Sequence, residues 1–382
     1  MKRIYLDNSA TSFPKAPGLG SVLSSYIEEN CVNLNRTESH LSYTSFEELY
    51  ALRSNLCTLF GFKEPECIGF TPNITYALNW LIKGLLSPGD HVVTTSVEHN
   101  AVLRPLLQHQ VSFSSIPCDK AGRSLVKEAE PLIQPNTKAF IINAASNVSG
   151  AVQNVKELCA IAKKHNLLTI VDSAQAAPLV DLNMSQMSID ALAFTGHKGL
   201  LGPQGTGGFL LRKDLALTIN PLVSGGTGSF SHSLELPPVL PDRLNPGTEN
   251  LVGLIGLSHS VQYVLDNLDS LKRKSRKNTA LLCKGLEEIC LEYGLRLVGP
   301  TSEEERSEAI SISCPEPSDL SAYLLENYNI ETRSGLHCSP LSHKALGTFP
   351  KGTIRFSSGV FTTEEEISIC LDSVRKYFSR QI

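Results

Sequence analysis

One lysine of this sequence follows an apolar run and precedes a glycine-rich stretch. Residues 189–194 have the composition of a buried strand, and Lys198 comes shortly after that run ends. Four glycines within residues 199–207 keep the backbone irregular and close to whatever the lysine touches. A lysine placed there can be desolvated and lose its proton, and the neutral amine can form an imine with an aldehyde. The same pattern also fits an ordinary surface lysine in a loop.

A carboxylate ends a second apolar run further upstream. Residues 167–172 are typical of another buried strand, and Asp172 is its last residue. Ligands of open α/β sheets bind at the carboxyl ends of the strands. An acid there could keep a pyridine nitrogen protonated, and Gln175 could hydrogen-bond a ring oxygen, as pyridoxal phosphate requires. Asp172 alone would be interpreted as a helix cap, but Asp172 and Lys198 together favour pyridoxal phosphate.

A third candidate for chemistry is the cysteine at position 338. It lies in a polar, glycine-containing loop, where a thiolate could form and stay accessible. The adjacent His337 has no role that its position in the sequence can establish. The ten cysteines include no Cys-x-x-Cys pair, so we expect no metal site with ordinary ligand spacing.

Two of these stretches resemble the class V aminotransferase group of fold-type I pyridoxal phosphate enzymes. They are the Asp-x-x-Gln element that starts at Asp172 and the Thr-Gly-His-Lys-Gly-x-x-Gly-Pro element around Lys198. Within that group, Arg-Ser-Gly-Leu-His-Cys-Ser-Pro at 333–340 resembles the active-site loop of cysteine desulfurases with a short, His-Cys type of loop. The likeness extends from Tyr5 to Arg355 and so covers nearly the whole chain.

The resemblance implies a set of cofactor contacts, a set of catalytic residues and two substrate contacts. The cofactor contacts would be Asn73, Ile74, Thr75, His99, Asp172, Gln175, Thr195, His197, Lys198 and Thr248. The catalytic residues would be Cys338, Lys198 and His99, and the substrate contacts would be Asn147 and Arg355. Thr248 would reach the phosphate of the neighbouring subunit, which implies a homodimer.

Several of these positions also have plainer interpretations. The turn at 73–75 could be a simple helix cap, and it departs from the Gly-Thr-Thr-like run of the family because one hydroxyl is missing. A lone histidine such as His99 is more often structural than catalytic. A buried Arg355 fits a substrate carboxylate, but its charge alone fits a structural salt bridge equally well.

The activity that the resemblance implies is conversion of L-cysteine to L-alanine. Sulfur would form a persulfide on Cys338 and pass from there to a separate sulfur-acceptor protein. Three alternatives stay open at this point: a selenocysteine lyase, another class V aminotransferase or lyase that needs no thiol, and a non-catalytic scaffold of sulfur transfer. A scaffold would be expected to have lost the cofactor residues, and this sequence has them.

Composition excludes several other classes of protein. The 382 residues are 41% hydrophobic and 19% charged, which is ordinary for a globular chain. A net charge of −4 gives no basic surface for nucleic acid or an anionic membrane. No apolar run approaches the roughly 18 residues of a membrane span, and the first residues turn polar too early for a signal peptide. We therefore expect a cytoplasmic protein.

The pattern of apolar runs predicts an α/β fold. Short apolar strands alternate with helical segments from residue 67 to residue 211, which predicts a mostly parallel central sheet with crossover helices. Before it, we expect a loop at 33–36 and a helix that begins at a capping box at 44–47. We expect a large cofactor domain over residues 21–250. Residues 1–20 and 251–382 would form a smaller α+β domain.

Overall fold

A computed structural model describes residues 2–34 and 39–380, and it is built around two sheets. The strands within these ranges are β1 (Ile4–Tyr5), β2 (Ile68–Thr71), β3 (His91–Thr95), β4 (Ser112–Ile116), β5 (Thr137–Asn143), β6 (Leu168–Asp172), β7 (Ala191–Thr195), β8 (Gly207–Leu211), β9 (Arg296–Val298), β10 (Ala309–Ser313), β11 (Ile330–Glu331), β12 (Arg333–Gly335) and β13 (Thr353–Ser357).

Helices connect most of these strands. They are α1 (Leu19–Ser25), α2 (His40–Phe60), α3 (Ile74–Leu85), α4 (Asn100–Gln108), α5 (Val155–Lys164), α6 (Met184–Met187), α7 (Lys213–Thr218), α8 (Leu251–Glu292), α9 (Pro317–Tyr328), α10 (Pro340–Ala345) and α11 (Glu364–Ser379). No helix among the described residues is both long and apolar enough to cross a membrane.

The larger sheet has seven strands in the order β2-β8-β7-β6-β5-β3-β4. Only β8 runs against its neighbours, so the other six strands point the same way. Their carboxyl ends therefore lie along one edge of the sheet, where ligands of such sheets bind. The strands β2, β7, β6, β5 and β3 end there at Thr71, Thr195, Asp172, Asn143 and Thr95, in that order. The α/β fold with a mostly parallel sheet, predicted from the sequence, is confirmed.

The smaller sheet is antiparallel, with the order β12-β13-β10-β9, and a short parallel pair, β1-β11, lies apart from it. The 42-residue helix α8 packs against both sheets. Its first part, including Leu254 and Leu257, packs into the core of the large sheet, and its last part, including Leu286 and Ile289, packs into the core of the small one. The expected division of the chain at 250/251 stays a prediction.

The helix α2 begins earlier than the sequence predicted. The Ser39 side chain caps it by accepting a hydrogen bond from the Ser42 N–H, so the helix starts at His40 rather than at the 44–47 box. Thr44 instead lies inside the helix and donates its hydroxyl to the His40 carbonyl. Of the loop expected at 33–36, residues 35 and 36 lie outside the described residues. A capping box is present instead at the start of α11, where Thr363 and Glu366 bond each other's backbone N–H groups.

The antiparallel strand β8 requires glycine where it is squeezed between β2 and β7. Gly208 lies opposite Phe70 on one side and Phe194 on the other. A Cβ at Gly208 would lie 2.4 Å from the Gly69 carbonyl oxygen, which is backbone and cannot move aside cheaply. The sheet therefore closes at this point only around a residue without a side chain.

We expect Gly208→Ala to lower the free energy of unfolding by about 1–3 kcal/mol, because the added methyl group has no space between the strands. Urea unfolding followed by circular dichroism measures the change. Gly20→Ala in α1 is the matched control, since nothing lies within 4 Å of its Cβ position and alanine favours a helix. Equal unfolding midpoints for the two variants would contradict the close packing at Gly208.

Candidate active site

The turn after β2 is held against the end of β7 by a glycine. Gly207 pairs with both Thr71 and Thr195, and its Cβ position is 3.0 Å from the Asn73 backbone. The Thr195 hydroxyl is buried and has no hydrogen-bond partner among the described residues. An unpaired buried hydroxyl is costly, which makes this a place where a polar ligand would be stabilised.

The three positions of that turn differ in what they offer an anion. The Asn73 side chain caps α3 by accepting a hydrogen bond from the Tyr76 N–H at 3.2 Å. The Ile74 side chain is 9% exposed and packs into the core, so Ile74 can offer only its backbone N–H. Thr75 is exposed in the first turn of α3. Backbone N–H groups at a helix start attract phosphate, so the turn can hold one without the missing hydroxyl.

Lys198 follows β7 and lies half-buried near charges of both signs. Burial and the Arg355 guanidinium lower its pKa to about 8, although the Asp172 carboxylate acts in the opposite direction. Within residues 2–34 and 39–380 its amine takes part in no hydrogen bond or salt bridge. An amine with these properties is neutral often enough to attack an aldehyde near neutral pH.

The N-terminal segment holds the backbone next to this lysine. The His197 carbonyl accepts hydrogen bonds from the Ser12 N–H at 3.0 Å and from the Lys15 ammonium at 2.7 Å. The His197 ring lies 3.0 Å from the Thr11 hydroxyl through Nδ1, and burial and Lys198 lower its pKa to about 4. His197 is therefore a neutral side chain that anchors the turn carrying Lys198.

Asp172 and Gln175 lie at the neighbouring strand end. Asp172 is buried, and its Oδ1 accepts a hydrogen bond from the Ala174 N–H at 2.9 Å. Burial raises the pKa of this carboxyl, while the Ala174 N–H and the Lys198 charge favour its ionised form. The Gln175 amide donates to the Ser9 carbonyl at 2.9 Å, so it also secures the N-terminal segment.

His99 caps α4 and is neutral. Its Nδ1 accepts a hydrogen bond from the Ala101 N–H at 3.0 Å, so the remaining proton is on Nε2. Burial, followed by the nearby Lys198 charge, lowers its pKa to about 4. The imidazole can therefore present an Nε2–H to a ligand without carrying a charge.

The loop that carries Cys338 has a strained backbone that several hydrogen bonds hold in place. His337 and Cys338 have φ values of 48° and 58°, in the left-handed region that side chains rarely adopt. The Asn100 N–H donates to the Cys338 carbonyl at 2.9 Å. The Asn147 amide donates to the His337 carbonyl and accepts from the Ser339 hydroxyl, both at 2.7 Å. Asn147, expected to contact substrate, thus holds this loop together with Asn100.

The two neighbouring side chains of the loop point to different surroundings. The Cys338 thiol is exposed and lies 3.8 Å from the Arg333 guanidinium. The His337 ring is buried against the Thr353 hydroxyl at 3.0 Å, and burial with the Arg355 charge lowers its pKa to about 2. The cation that faces the thiol is therefore Arg333, to which the sequence analysis assigned no role.

Arg355 lies in the middle of the small sheet and is 1% exposed. Its Nη2 forms a salt bridge with Asp7 at 2.6 Å, and its Nη1 donates to the Asn147 carbonyl at 3.1 Å. The salt bridge that the sequence left open is present, yet the buried Nε has no partner among the described residues. Arg333 is its neighbour across the strands, so two guanidinium groups are available to a carboxylate.

One expected site residue lies apart from this group within the single chain. Thr248 is exposed and lines a groove with Phe46 and Tyr50 of α2. Another carboxyl was missed by the sequence analysis. Glu98, directly before His99, is fully buried at the ends of β3 and β5. Its signal in the sequence was an acid three residues past the end of an apolar strand, whereas Asp172 is itself the last residue of such a strand.

Comparison with known proteins now decides the family. The family model described as aminotransferase class-V matches residues 4–369. The chain belongs to this family. A protein of Pyrococcus abyssi named probable cysteine desulfurase is 29% identical and covers 96% of this chain and 92% of its own length. A similarly named protein of Methanothermobacter thermautotrophicus is 28% identical over 96% of this chain and 92% of that protein.

Solved structures agree with this assignment. The apo structure of the cysteine desulfurase from Thermococcus onnurineus has a TM-score of 0.90 with 29% identity and covers 99% of this chain and 95% of that one. A structure named NifS-like protein has a TM-score of 0.84 at 26% identity and covers 99% and 100% of the two chains. The class V resemblance and the fold-type I architecture predicted from the sequence are confirmed.

Pyridoxal phosphate is the cofactor of this family, and the residues present fit it. The free amine of Lys198 suits its aldehyde, and the buried Asp172 suits a pyridine nitrogen. The unpaired Thr195 hydroxyl and the N-terminus of α3 suit its phosphate. Each of these groups otherwise lacks a partner or bears an uncompensated cost of burial.

In cofactor-stripped protein, we expect Lys198 to react with an amine reagent at a rate that rises near pH 8. Its pKa is lowered to about 8, so the reactive neutral amine appears well below the ordinary lysine value of 10.5. Peptide mapping by mass spectrometry across pH 6–11 measures this. Lys15 is the matched control, since burial lowers its pKa to about 8 as well, but three hydrogen bonds engage its amine. Faster labelling of Lys15 than of Lys198 would contradict a free amine at Lys198.

Proposed function

We propose that this protein is a pyridoxal phosphate-dependent cysteine desulfurase. It converts L-cysteine to L-alanine and forms a persulfide on Cys338, from which sulfur passes to an acceptor protein. The observation that carries the proposal is the exposed Cys338 thiol, which the loop presents beside Arg333 while Asn147 and Asn100 fix the backbone on either side. A class V enzyme that needs no thiol would have no use for this arrangement.

Substrate binding is the first step assigned to residues of this chain. Arg355 has an unpaired Nε, and Arg333 lies across the strands from it, so a substrate carboxylate finds donors at this face of β13 and β12. Asn147 bonds the loop and the Arg355 guanidinium at once, and it thereby sets the distance between the carboxylate site and Cys338. The substrate amino group would then point toward Lys198.

Proton movement is assigned to Lys198 and His99. When bound, pyridoxal phosphate supplies an electron sink that allows the substrate Cα to lose a proton. Lys198 has a pKa of about 8, so its amine can take that proton and return it near neutral pH. The neutral His99 can donate a hydrogen bond from Nε2 without adding a charge. Asp172 would hold the pyridine proton, and Thr75, Thr195 and His197 would surround the phosphate.

Sulfur transfer is assigned to Cys338. Its thiolate attacks the substrate sulfur, which forms an S–S bond and breaks the substrate Cβ–S bond. The electron pair of the broken bond stays on carbon, and protonation of that carbon gives alanine. The persulfide on Cys338 then passes its outer sulfur to the acceptor. Only a sulfur nucleophile performs this step, since a serine hydroxyl is essentially un-ionised near neutral pH.

We expect Cys338→Ser to retain the bound cofactor and its spectral response to L-cysteine, while sulfide release falls by on the order of a hundredfold or more. The wild-type protein, treated briefly with L-cysteine without reductant, should gain one sulfur atom on the peptide that contains Cys338. Sulfide release and peptide mass are the two measurements.

The matched control is Cys31→Ser, because Cys31 is the other exposed cysteine of the chain. It should release sulfide at the wild-type rate. A persulfide on a cysteine other than Cys338, or undiminished sulfide release by Cys338→Ser, would exclude the proposed mechanism. A wild-type protein that accepted only L-selenocysteine would be a selenocysteine lyase instead.

The second part of the proposal is that the protein works as a homodimer. Helix α2 exposes three aromatic side chains on one face, Tyr43, Phe46 and Tyr50, the last two 56% and 54% exposed. Phe46 and Tyr50 line the groove that contains Thr248, and the groove has a volume of about 210 Å³. An exposed aromatic stripe of this kind marks a protein interface, and a second subunit docked there would bury it. Thr248 would then reach the partner's cofactor phosphate.

Sedimentation of the wild-type protein should therefore give a dimer at micromolar concentration. Thr248→Ala should remain dimeric but bind pyridoxal phosphate roughly tenfold more weakly, since one hydrogen bond to a charged group is lost. Thr218→Ala, another exposed threonine, serves as the control and should bind the cofactor normally. A monomeric protein with unimpaired cofactor binding would contradict this part of the proposal.

We also place the protein in the cytoplasm. All ten cysteines are free, among them Cys338, whose thiol the reaction needs in reduced form. A reducing compartment keeps such thiols available.

A further inference from the structure

Glu98 is a buried carboxyl that joins two strands of the large sheet. Its Oε1 accepts three hydrogen bonds: from the Thr95 hydroxyl at 2.6 Å, from the Asn143 N–H at 2.9 Å and from the Thr95 N–H at 3.3 Å. Thr95 ends β3 and Asn143 ends β5, and these strands are neighbours. One oxygen atom thus links two strand ends on the edge of the sheet where the candidate active site lies.

Two residues of the candidate active site are attached to this link. His99 follows Glu98 directly and caps α4, so the position of Glu98 determines where the imidazole stands. Asn143 is paired in register with Asp172 on β6, and the Ala144 N–H donates to the Asp172 carbonyl at 2.9 Å. The Asn143 side chain also donates to the Val97 carbonyl at 2.8 Å. A shift of Glu98 would therefore move His99 and Asp172 relative to each other.

The two carboxyls cannot both carry a charge at low cost in this dry region. Burial favours the protonated form of both, and the Asp172 charge further favours a protonated Glu98. Lys198 favours the ionised form of Asp172. Burial raises the pKa of Glu98 to about 8 and outweighs the Thr95 and Asn143 donors, which favour its ionised form, and no cation adds to them. The Glu98 Oε2 has no hydrogen-bond partner among the described residues. These observations assign the proton to Glu98 and the charge to Asp172.

We infer that Glu98 is a positioning residue that acts as a neutral carboxylic acid. It clamps the ends of β3 and β5 through Oε1 and so holds His99 and Asp172 in place, and its lack of charge leaves Asp172 as the only ionised carboxyl of the pair. The clamp exists in the chain itself, and its relevance to catalysis rests on the proposed function of these two residues.

Two substitutions separate the clamp from its charge. Glu98→Gln keeps a carbonyl oxygen in place of Oε1 and is uncharged, so it should retain kcat for sulfide release within about threefold of wild type. Its cofactor absorbance should also titrate with pH as in wild type. Glu98→Ala removes the acceptor of three buried donors, and kcat should fall by about tenfold or more with a smaller change in KM. Rescue by glutamine, but not by alanine, is the expected pattern.

The outcomes that overturn the inference are distinct from failure of the proposed function. If Glu98 were ionised, Glu98→Gln would remove a negative charge beside Asp172 and shift the spectral titration of the bound cofactor to lower pH. That shift, or a loss of kcat as large as that of Glu98→Ala, would refute a neutral clamp. Should Glu98→Ala fail to fold, the glutamine titration alone decides. A wild-type protein that released no sulfide from L-cysteine would refute the desulfurase proposal, and the spectral comparison would still test Glu98.

Discussion

A guanidinium group buried in a protein interior must have a counter-charge, and Arg355 imposes that requirement on this fold. It lies in the middle of the small sheet, and its partner Asp7 belongs to the N-terminal segment. The same segment continues to Ser12 and Lys15, which bond the backbone next to Lys198. One salt bridge therefore connects the small sheet, the N-terminal segment and the turn that carries the candidate catalytic lysine. Breaking such a buried pair leaves an uncompensated charge in the interior, and this costs far more stability than breaking an exposed pair.

The same low-dielectric surroundings set the protonation states of the site. Burial lowers the pKa of Lys198 and of the histidines His99 and His197, and it raises the pKa values of the acids Asp172 and Glu98. Positive groups are thus poised to lose a proton and acids to keep one, each in the direction that reduces buried charge. Individual charges then decide which group ionises, as Lys198 does for Asp172. A site with these properties can exchange protons near neutral pH without ionising every residue that lines it.

The Cys338 loop shows how strain and accessibility are combined. Two consecutive residues in the left-handed region would not stay there in a free loop. Asn147 and Asn100, from elements that follow β5 and β3, hold the loop by its carbonyl groups and leave the thiol exposed. The buried His337 occupies the space beneath the loop as an uncharged ring. Residues that follow strands of the large sheet therefore hold the thiol in place, although Cys338 itself follows β12 of the small sheet in the sequence.

The sequence determined much of this protein because strands and caps are local. Alternation of apolar runs with helical segments predicted the parallel sheet. The ends of two of those runs predicted Asp172 and Lys198 at one edge, since parallel strands end there, whereas Thr195 came from the family resemblance. Local signals failed at α2, whose cap is Ser39 rather than the equally plausible box at 44–47. Only the tertiary structure decided that Asp7 pairs with Arg355, that Arg333 rather than His337 faces the thiol, and that Glu98 joins two strands. Those contacts join residues that lie far apart in the chain, and neither the periodicity nor the composition of a sequence shows which distant residues meet in the fold.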